Sequence, residues 1–361
     1  MALRAGIVGL PNVGKSTLFT ALTAAQVERA SYPFTTIEPN VGVLPVPDAR
    51  LEALASYFPD RPMLQATVEI VDVAGLVRGS SSGEGLGNQF LGHIRGVDAL
   101  LHVVRCFEHP DVASVTGEVD PVAEIDIVEL ELVLADLEVV KRRAQRSAHS
   151  LKTGDKQAAI EHRAAMSLLA CLEDGISLRS RSWEEAELRL IRESQLLTAK
   201  PVLYVCNTGE DLERSPHVEP VRELAAARKA AMIVVCAQLE AEIADLDVAD
   251  RAGFLEEAGL KEAGAAVLAR ETYRLLGLIT FFTTPTQIRA WQLPSSGTAV
   301  HAAGRVHSDF ADRFIRSEVY RIPDLIELGS EAALRSAGRM RTEGRDYVVQ
   351  DGDVMLFKIG R

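Results

Sequence analysis

The stretch AGIVGLPNVGKSTLFTAL, from Ala5 to Leu22, decides how the rest of the chain is read. From Gly9 to Ser16 it spells G-x-x-x-x-G-K-S, the spacing of a phosphate-binding P-loop. The apolar run Ala5–Val8 before it reads as a buried strand, and Leu18, Phe19 and Leu22 after it fall at helical spacing. Strand, loop and helix in that order are the context the motif requires. Gly9 and Gly14 let the backbone curl so that successive N–H groups face phosphate oxygens, while the helix adds its N-terminal N–H groups and dipole. Lys15 then supplies a point charge to the outer phosphates and Ser16 a hydroxyl to Mg²⁺.

Outward from this loop, five apolar runs predict further strands: Val41–Val46, Ala66–Val71, Ala99–Val104, Val202–Cys206 and Met232–Cys236. Most are continuously apolar, as parallel strands covered on both faces are. Helical patterns alternate with them, one opening at Asp48 as N-cap with Leu51, Leu54, Ala55 and Phe58 on one face. The alternation predicts an α/β fold, a doubly wound P-loop sheet whose ligand lies beyond the carboxyl ends of the strands. The rhythm breaks from residue 123 to about 197, where Ile127, Leu130, Leu134 and Leu137 follow three–four spacing and a polar turn separates them from a second helical run, Ala158 to Leu172. This predicts an inserted antiparallel helical hairpin, and Ser182–Glu185 has the capping-box form for a helix leading back to the sheet. From about 278, LITFFTT and QIRAWQL read as paired strands, YVVQ and VMLFKI as a hairpin around Asp351-Gly352, with short helices near Phe310–Arg316 and Glu331–Ala337. The expected domains are therefore 1–122 with 198–277, the hairpin 123–197, and a small α+β domain over 278–361.

Charge and cysteine usage narrow the function. Residues 278–361 hold 11 Lys+Arg against 10 Asp+Glu, whereas residues 1–277 hold 28 against 41, a balance of −13. So acidic a body is a poor non-specific binder of nucleic acid; an RNA contact needs a local basic patch, and DNA is not an expected partner. The cluster Lys141, Arg142, Arg143, Arg146, Lys152 and Lys156 near the hairpin tip is such a patch, or else a solvated helix end. No run approaches the roughly 20 apolar residues of a membrane span, and the first strand leaves no room for a signal peptide, so a cytoplasmic protein with no membrane partner is expected. The four cysteines, at 106, 171, 206 and 236, are scattered and read as small core residues.

Hydrolysis needs more than the loop. Asp72 ends an apolar strand in EIVDVAGL, giving D-x-x-G with Gly75; Asp72 is placed to hold the Mg²⁺ shell and Gly75 to offer an N–H to the γ-phosphate. Thr35 and Thr36 lie where a GTPase-type protein has its first switch loop, and Thr36 is the expected Mg²⁺ ligand. Leu76 follows Gly75, and leucine cannot orient water as the glutamine of Ras-like GTPases does, so slow intrinsic turnover is expected. Where GTPases read guanine with N-K-x-D, this chain has Asn207-Thr208-Gly209-Glu210. The lysine is absent and the carboxylate of Glu210 sits on a longer arm, so guanine loses its best discriminator and ATP becomes the favoured nucleotide. Cys236-Ala237, after the next strand, is the second expected base-contacting segment.

Together these residues resemble the YchF-type Obg-like ATPases over essentially the full length. The resemblance rests on GLPNVGKST at 9–17, the switch at 32–40, DVAGLVRG at 72–79, GEGLGNQFL at 83–91, the N-x-x-E at 207–210, the hairpin and the tail segment AGRVHSDFADRFIR. It implies an ATPase that binds ribosomes, with a C-terminal domain of the β-grasp TGS type. It further implies that Asn12, Val13, Gly14, Lys15, Ser16 and Thr17 bind the phosphates, that Ser16 and Thr36 bind Mg²⁺, and that Asn207, Thr208 and Phe107 contact adenine. Asn12 carries a further implication, a K⁺ ion near the phosphates. Two departures stand out: Ser114 where some members carry His, and Ser82 where relatives often have lysine. A true GTPase, or a nucleotide-gated ribosome- or RNA-binding module, are the alternatives.

Overall fold

The computed structural model describes residues 3–27, 40–73, 86–110, 117–151, 155–212 and 214–360. The chain divides into two compact units, Met1–Gly42 with Glu69–Ala265, and Val43–Val68 with Ala266–Arg361. The segment Val43–Val68, assigned above to the nucleotide-binding part, thus belongs to the second unit, as does the helix capped by Asp48.

In chain order the strands are β1 (Arg4–Val8), β2 (Val41–Val46), β3 (Met63–Leu64), β4 (Ala66–Asp72), β5 (Ala99–Arg105), β6 (Val202–Asn207) and β7 (Ala231–Val235). They are followed by β8 (Leu278–Thr283), β9 (Ile288–Pro294), β10 (Phe314–Arg321), β11 (Arg341–Glu343) and β12 (Asp353–Ile359). One six-stranded sheet has the order β2-β4-β1-β5-β6-β7. Its pairs β1–β4, β1–β5, β5–β6 and β6–β7 are all parallel. Every residue of β5 and β6 is buried, which is why these strands read as unbroken apolar runs.

Between β5 and β6 run the helices Pro121–Leu151 and Lys156–Glu173. Asp120 and Asp155 hold their first turns, accepting from Ala123 N–H at 3.0 Å and Gln157 N–H at 2.8 Å. The two arms pack through Val133, Val140, Ala144, Ala164, Ala165, Leu168 and Leu172. The buried stripe of the first arm is therefore not the one its three–four spacing suggested. Ile125, Val128 and Leu132 are buried, while Leu130 is 53% and Leu134 38% exposed. This arm carries apolar residues on more than one face, and periodicity alone could not choose between them. Asp136 fixes the arm to the return of the chain: its carboxylate accepts Leu197 N–H at 2.9 Å, Thr198 N–H at 2.8 Å and the Thr198 hydroxyl at 2.6 Å.

The expected capping box at Ser182 does not form. That helix begins at Glu185, with Glu184 as an N-cap that makes no side-chain bond, and the Trp183 indole N–H donates to Leu178 O at 2.8 Å. A capping box does occur at Thr298 and His301, opening the helix Ala299–Val306.

The second sheet has the order β11-β10-β12-β8-β9-β3. The strands β8 and β9 pair as expected, and they run antiparallel. The hairpin around Asp351-Gly352 is not: β12 pairs with β10 and β8, and Val348 makes only an isolated bridge to Thr298. The turn itself is present, with Gly352 at φ 90°, but Asp351 anchors it sideways, accepting Thr280 N–H at 2.9 Å and Arg50 Nη1 at 2.7 Å. The helix expected near Phe310–Arg316 ends at Asp312, and Phe314 already starts β10. Phe281, Leu293, Ala302, Phe314, Val319 and Met355 form the core of this unit.

Candidate nucleotide site

The P-loop leaves β1 at Val8 and enters the helix Lys15–Val27. Gly14 has φ 88°, and a Cβ there would stand 2.1 Å from Asn207 Nδ2; a Cβ on Gly9 would stand 2.6 Å from Val103 O. Both glycines are therefore required by close approach, and Gly14 by its left-handed backbone as well. Asn12 also has positive φ, 65°, a conformation its short polar side chain tolerates. Val13 is buried and pins the loop, while Asn12, Ser16 and Thr17 are exposed.

Register brings Asp72 to this loop. Ile7 of β1 pairs with Asp72 at the end of β4. Lys15 Nζ donates to Asp72 Oδ1 at 2.7 Å and to Val73 O at 2.7 Å. An ammonium carries three N–H groups, and these two contacts use two of them. The Lys15 side chain is 10% exposed and that of Asp72 21%.

Asn207, at the end of β6, uses both ends of its amide on the protein. Nδ2 donates to Val13 O at 2.9 Å, and Oδ1 accepts Ala237 N–H at 2.9 Å. The residue read from sequence as an adenine contact thus ties the phosphate loop to the segment after β7. Thr208 lies beside it, buried, with its N–H on Val235 O at 2.8 Å and its hydroxyl 3.3 Å from the same oxygen. Glu210 is exposed and, among the described residues, makes no hydrogen bond or ion pair.

Residues 4–136 match the family described as 50S ribosome-binding GTPase, and residues 278–360 match YchF-GTPase_C, described as a protein of unknown function. Over 360 residues the chain is 47% identical to the ribosome-binding ATPase YchF of Haemophilus influenzae, covering 99% of each. The chain belongs to the YchF family. The Bacillus subtilis YchF is 46% identical, again over 99% of both chains. A solved structure, the Schizosaccharomyces pombe YchF GTPase, superposes with a TM-score of 0.89 at 30% identity, covering 99% of this chain and 97% of its own.

With the YchF fold in place, the remaining site residues can be located. Phe107 follows β5 and is half-buried; Cys106 N–H donates to Asn207 O at 2.8 Å, so Phe107 leaves the sheet next to the Asn207 backbone. Thr36, Gly75, Leu76, Ser82, Ser114 and Lys152 lie outside the described residues. His102 is no candidate for phosphate chemistry: it is buried in the middle of β5 against Tyr204, ring centroids 5.7 Å apart, and burial pushes its pKa down to about 4.

Two features were not read from the sequence. Val73 O, a backbone acceptor, leaves no mark in residue type. Arg105 did leave one, a charge ending an otherwise apolar strand, and it proves to be 3% exposed. Glu124, 3% exposed beside it, has its carboxyl pushed up to about 7 by burial. All four cysteines are free and buried, and the neighbouring Cys206 together with burial pushes the Cys106 thiol up. In the hairpin, much of the basic cluster is already paired: Lys141 with Glu173, Arg142 with Glu138 and Arg143 with Glu161. Among the described residues no helix is long and apolar enough to cross a membrane.

Proposed function

We propose that this chain is a cytoplasmic, Mg²⁺-dependent ATPase that binds the ribosome and hydrolyses ATP to ADP and phosphate. The observation that carries the reading is the Asn207 amide bridging Val13 O and Ala237 N–H. It holds Asn207 against the phosphate loop, which supports Asn207–Glu210 as the segment that would read a purine edge. There the chain offers no lysine, and its carboxylate is the exposed Glu210, a poor match to guanine. The names of the relatives, ribosome-binding ATPases, agree with this reading.

In this reading the N–H groups of residues 12–17 cradle the triphosphate and the third N–H of Lys15 meets its terminal oxygens. Ser16 and Asp72 are hard oxygen donors adjoining Lys15, a set that suits Mg²⁺, with Thr36 completing it. The metal, when bound, neutralises charge on the transferring phosphoryl group. Asn12 would hold a K⁺ ion, which would supply the charge that an arginine finger gives elsewhere. Equal rates in K⁺ and Na⁺ would overturn that role. The hairpin, residues 123–197, and the tail, residues 278–361 as a TGS-type domain, are the proposed ribosome contacts.

Calorimetric titration with ATP and GTP in competition tests the nucleotide; preference for ATP is expected. A GTPase is the second reading, because the solved relative carries that title. Tighter GTP binding would establish it. Ribosome co-sedimentation with a non-hydrolysable ATP analogue tests the partner. Arg142→Glu with Arg146→Glu should weaken it at least tenfold if the hairpin is a contact.

A further inference from the structure

Arg105 lies behind Phe107. Its Nε donates to Phe107 O at 3.1 Å, and its Cζ stands 4.9 Å from the centre of the Phe107 ring. A guanidinium that bonds the carbonyl and faces the ring of the same residue fixes both the backbone and the side-chain rotamer of that residue. Arg105 is itself fixed. It pairs in register with Asn207 across β5 and β6, and the buried Glu124 faces its charge. The chain beyond is held too: the Ser215 hydroxyl donates to Cys106 O at 2.6 Å, and His217 Nε2 lies 3.2 Å from Glu108 Oε1. Phe107 therefore stands at the carboxyl ends of the strands, where an open α/β sheet binds its ligand. One of its faces is taken by a buried cation, and the residue keeps part of its surface in solvent.

We propose that Arg105 is a positioning residue for base recognition, clamping Phe107 from behind so that the opposite face of the ring is presented to adenine. This rests on the reading of Phe107 as an adenine contact. Pre-setting the ring removes the ordering cost that a free side chain would meet on binding. It acts on the base alone, because the phosphates are held by the loop and Lys15.

The test is calorimetry with ADP and with inorganic tripolyphosphate on Phe107→Ala, Arg105→Met and the double variant. Each single variant should weaken ADP about tenfold, a loss in the range measured for base–aromatic stacking. Tripolyphosphate affinity should stay within twofold, and the double variant should bind ADP no more than twofold weaker than Phe107→Ala. If Phe107→Ala leaves ADP affinity unchanged, the adenine-contact reading fails. If Phe107→Ala weakens ADP but Arg105→Met does not, the clamp fails alone. Equal losses for ADP and tripolyphosphate in Arg105→Met also overturn it, since a general collapse of the site is then the cause. Should Arg105→Met not fold beside Glu124, Arg105→Lys keeps the charge and removes the planar fork. It must then show the same ADP-only loss, and wild-type ADP affinity there sinks the proposal.

Discussion

Lys15 Nζ sits 2.7 Å from Asp72 Oδ1, and the two residues, one opening a helix and one ending a strand, are 57 positions apart. The pair is mostly buried and joins the residue proposed to meet phosphate to the residue proposed to hold Mg²⁺. Asp72→Asn keeps the shape and an acceptor oxygen but removes the charge. It should leave the thermal midpoint within a few degrees while lowering single-turnover ATP hydrolysis about 100-fold, a loss of the size seen when one charge-stabilising group is removed. Hydrolysis within threefold of wild type would show that Asp72 only anchors Lys15.

The Asn207 bridge gives a second expectation. Asn207→Ala strands Val13 O and Ala237 N–H, both buried with their residues. Leaving such groups unmet costs about 2 kcal/mol. Urea unfolding should show that loss of stability, and ATP affinity should fall more than tenfold because the phosphate loop loses its tie. Asn207→Asp should not rescue it, since a carboxylate cannot donate to Val13 O.

Asp136 is expected to matter for folding and not for chemistry. Its carboxylate meets two backbone N–H groups and a hydroxyl where the hairpin returns to the sheet. Asp136→Ala should destabilise the chain by about 3 kcal/mol in urea unfolding, through buried donors left unmet. Nucleotide affinity of the folded fraction should stay within twofold.

Two buried groups give opposite pH dependences. His102 is held neutral, with its pKa lowered from 6.5 to about 4, so the unfolded chain takes up the proton first and stability falls as pH drops from 6.5 to 4. Glu124 is raised from 4.5 to about 7, so its contribution is present at low pH and is lost as pH rises from 4.5 to 7. Each is worth up to about 3 kcal/mol, and they largely offset each other across the shared window. His102→Leu should therefore unmask stability that declines towards neutral pH, and Glu124→Gln stability that declines towards acid pH. Parallel slopes in the two variants, measured by denaturation at pH 5 and pH 7.5, would contradict the assignment.

The sequence by itself determined the phosphate loop, the α/β alternation, the interrupting hairpin and the acidic body. These rest on local spacing: Gly9 to Ser16 within one loop, the apolar runs of β1, β5 and β6, and the break in rhythm after residue 123. It also singled out Asp72, through D-x-x-G, and Asn207, through N-x-x-E, as expected site residues. Only the tertiary structure decided what those residues touch. That the Asn207 amide braces Val13 and Ala237 and that Lys15 is shared between Asp72 and Val73 O follow from how the strands are brought together, while the burial of Arg105 behind Phe107 depends on the packing around β5. The allotment of Val43–Val68 to the second unit was likewise not legible in local spacing. Register joins residues 57 to 194 positions apart. No local pattern of apolar and polar residues encodes such distances, because the partner of a side chain is set by which strands pair and by how far each is slid along its neighbour.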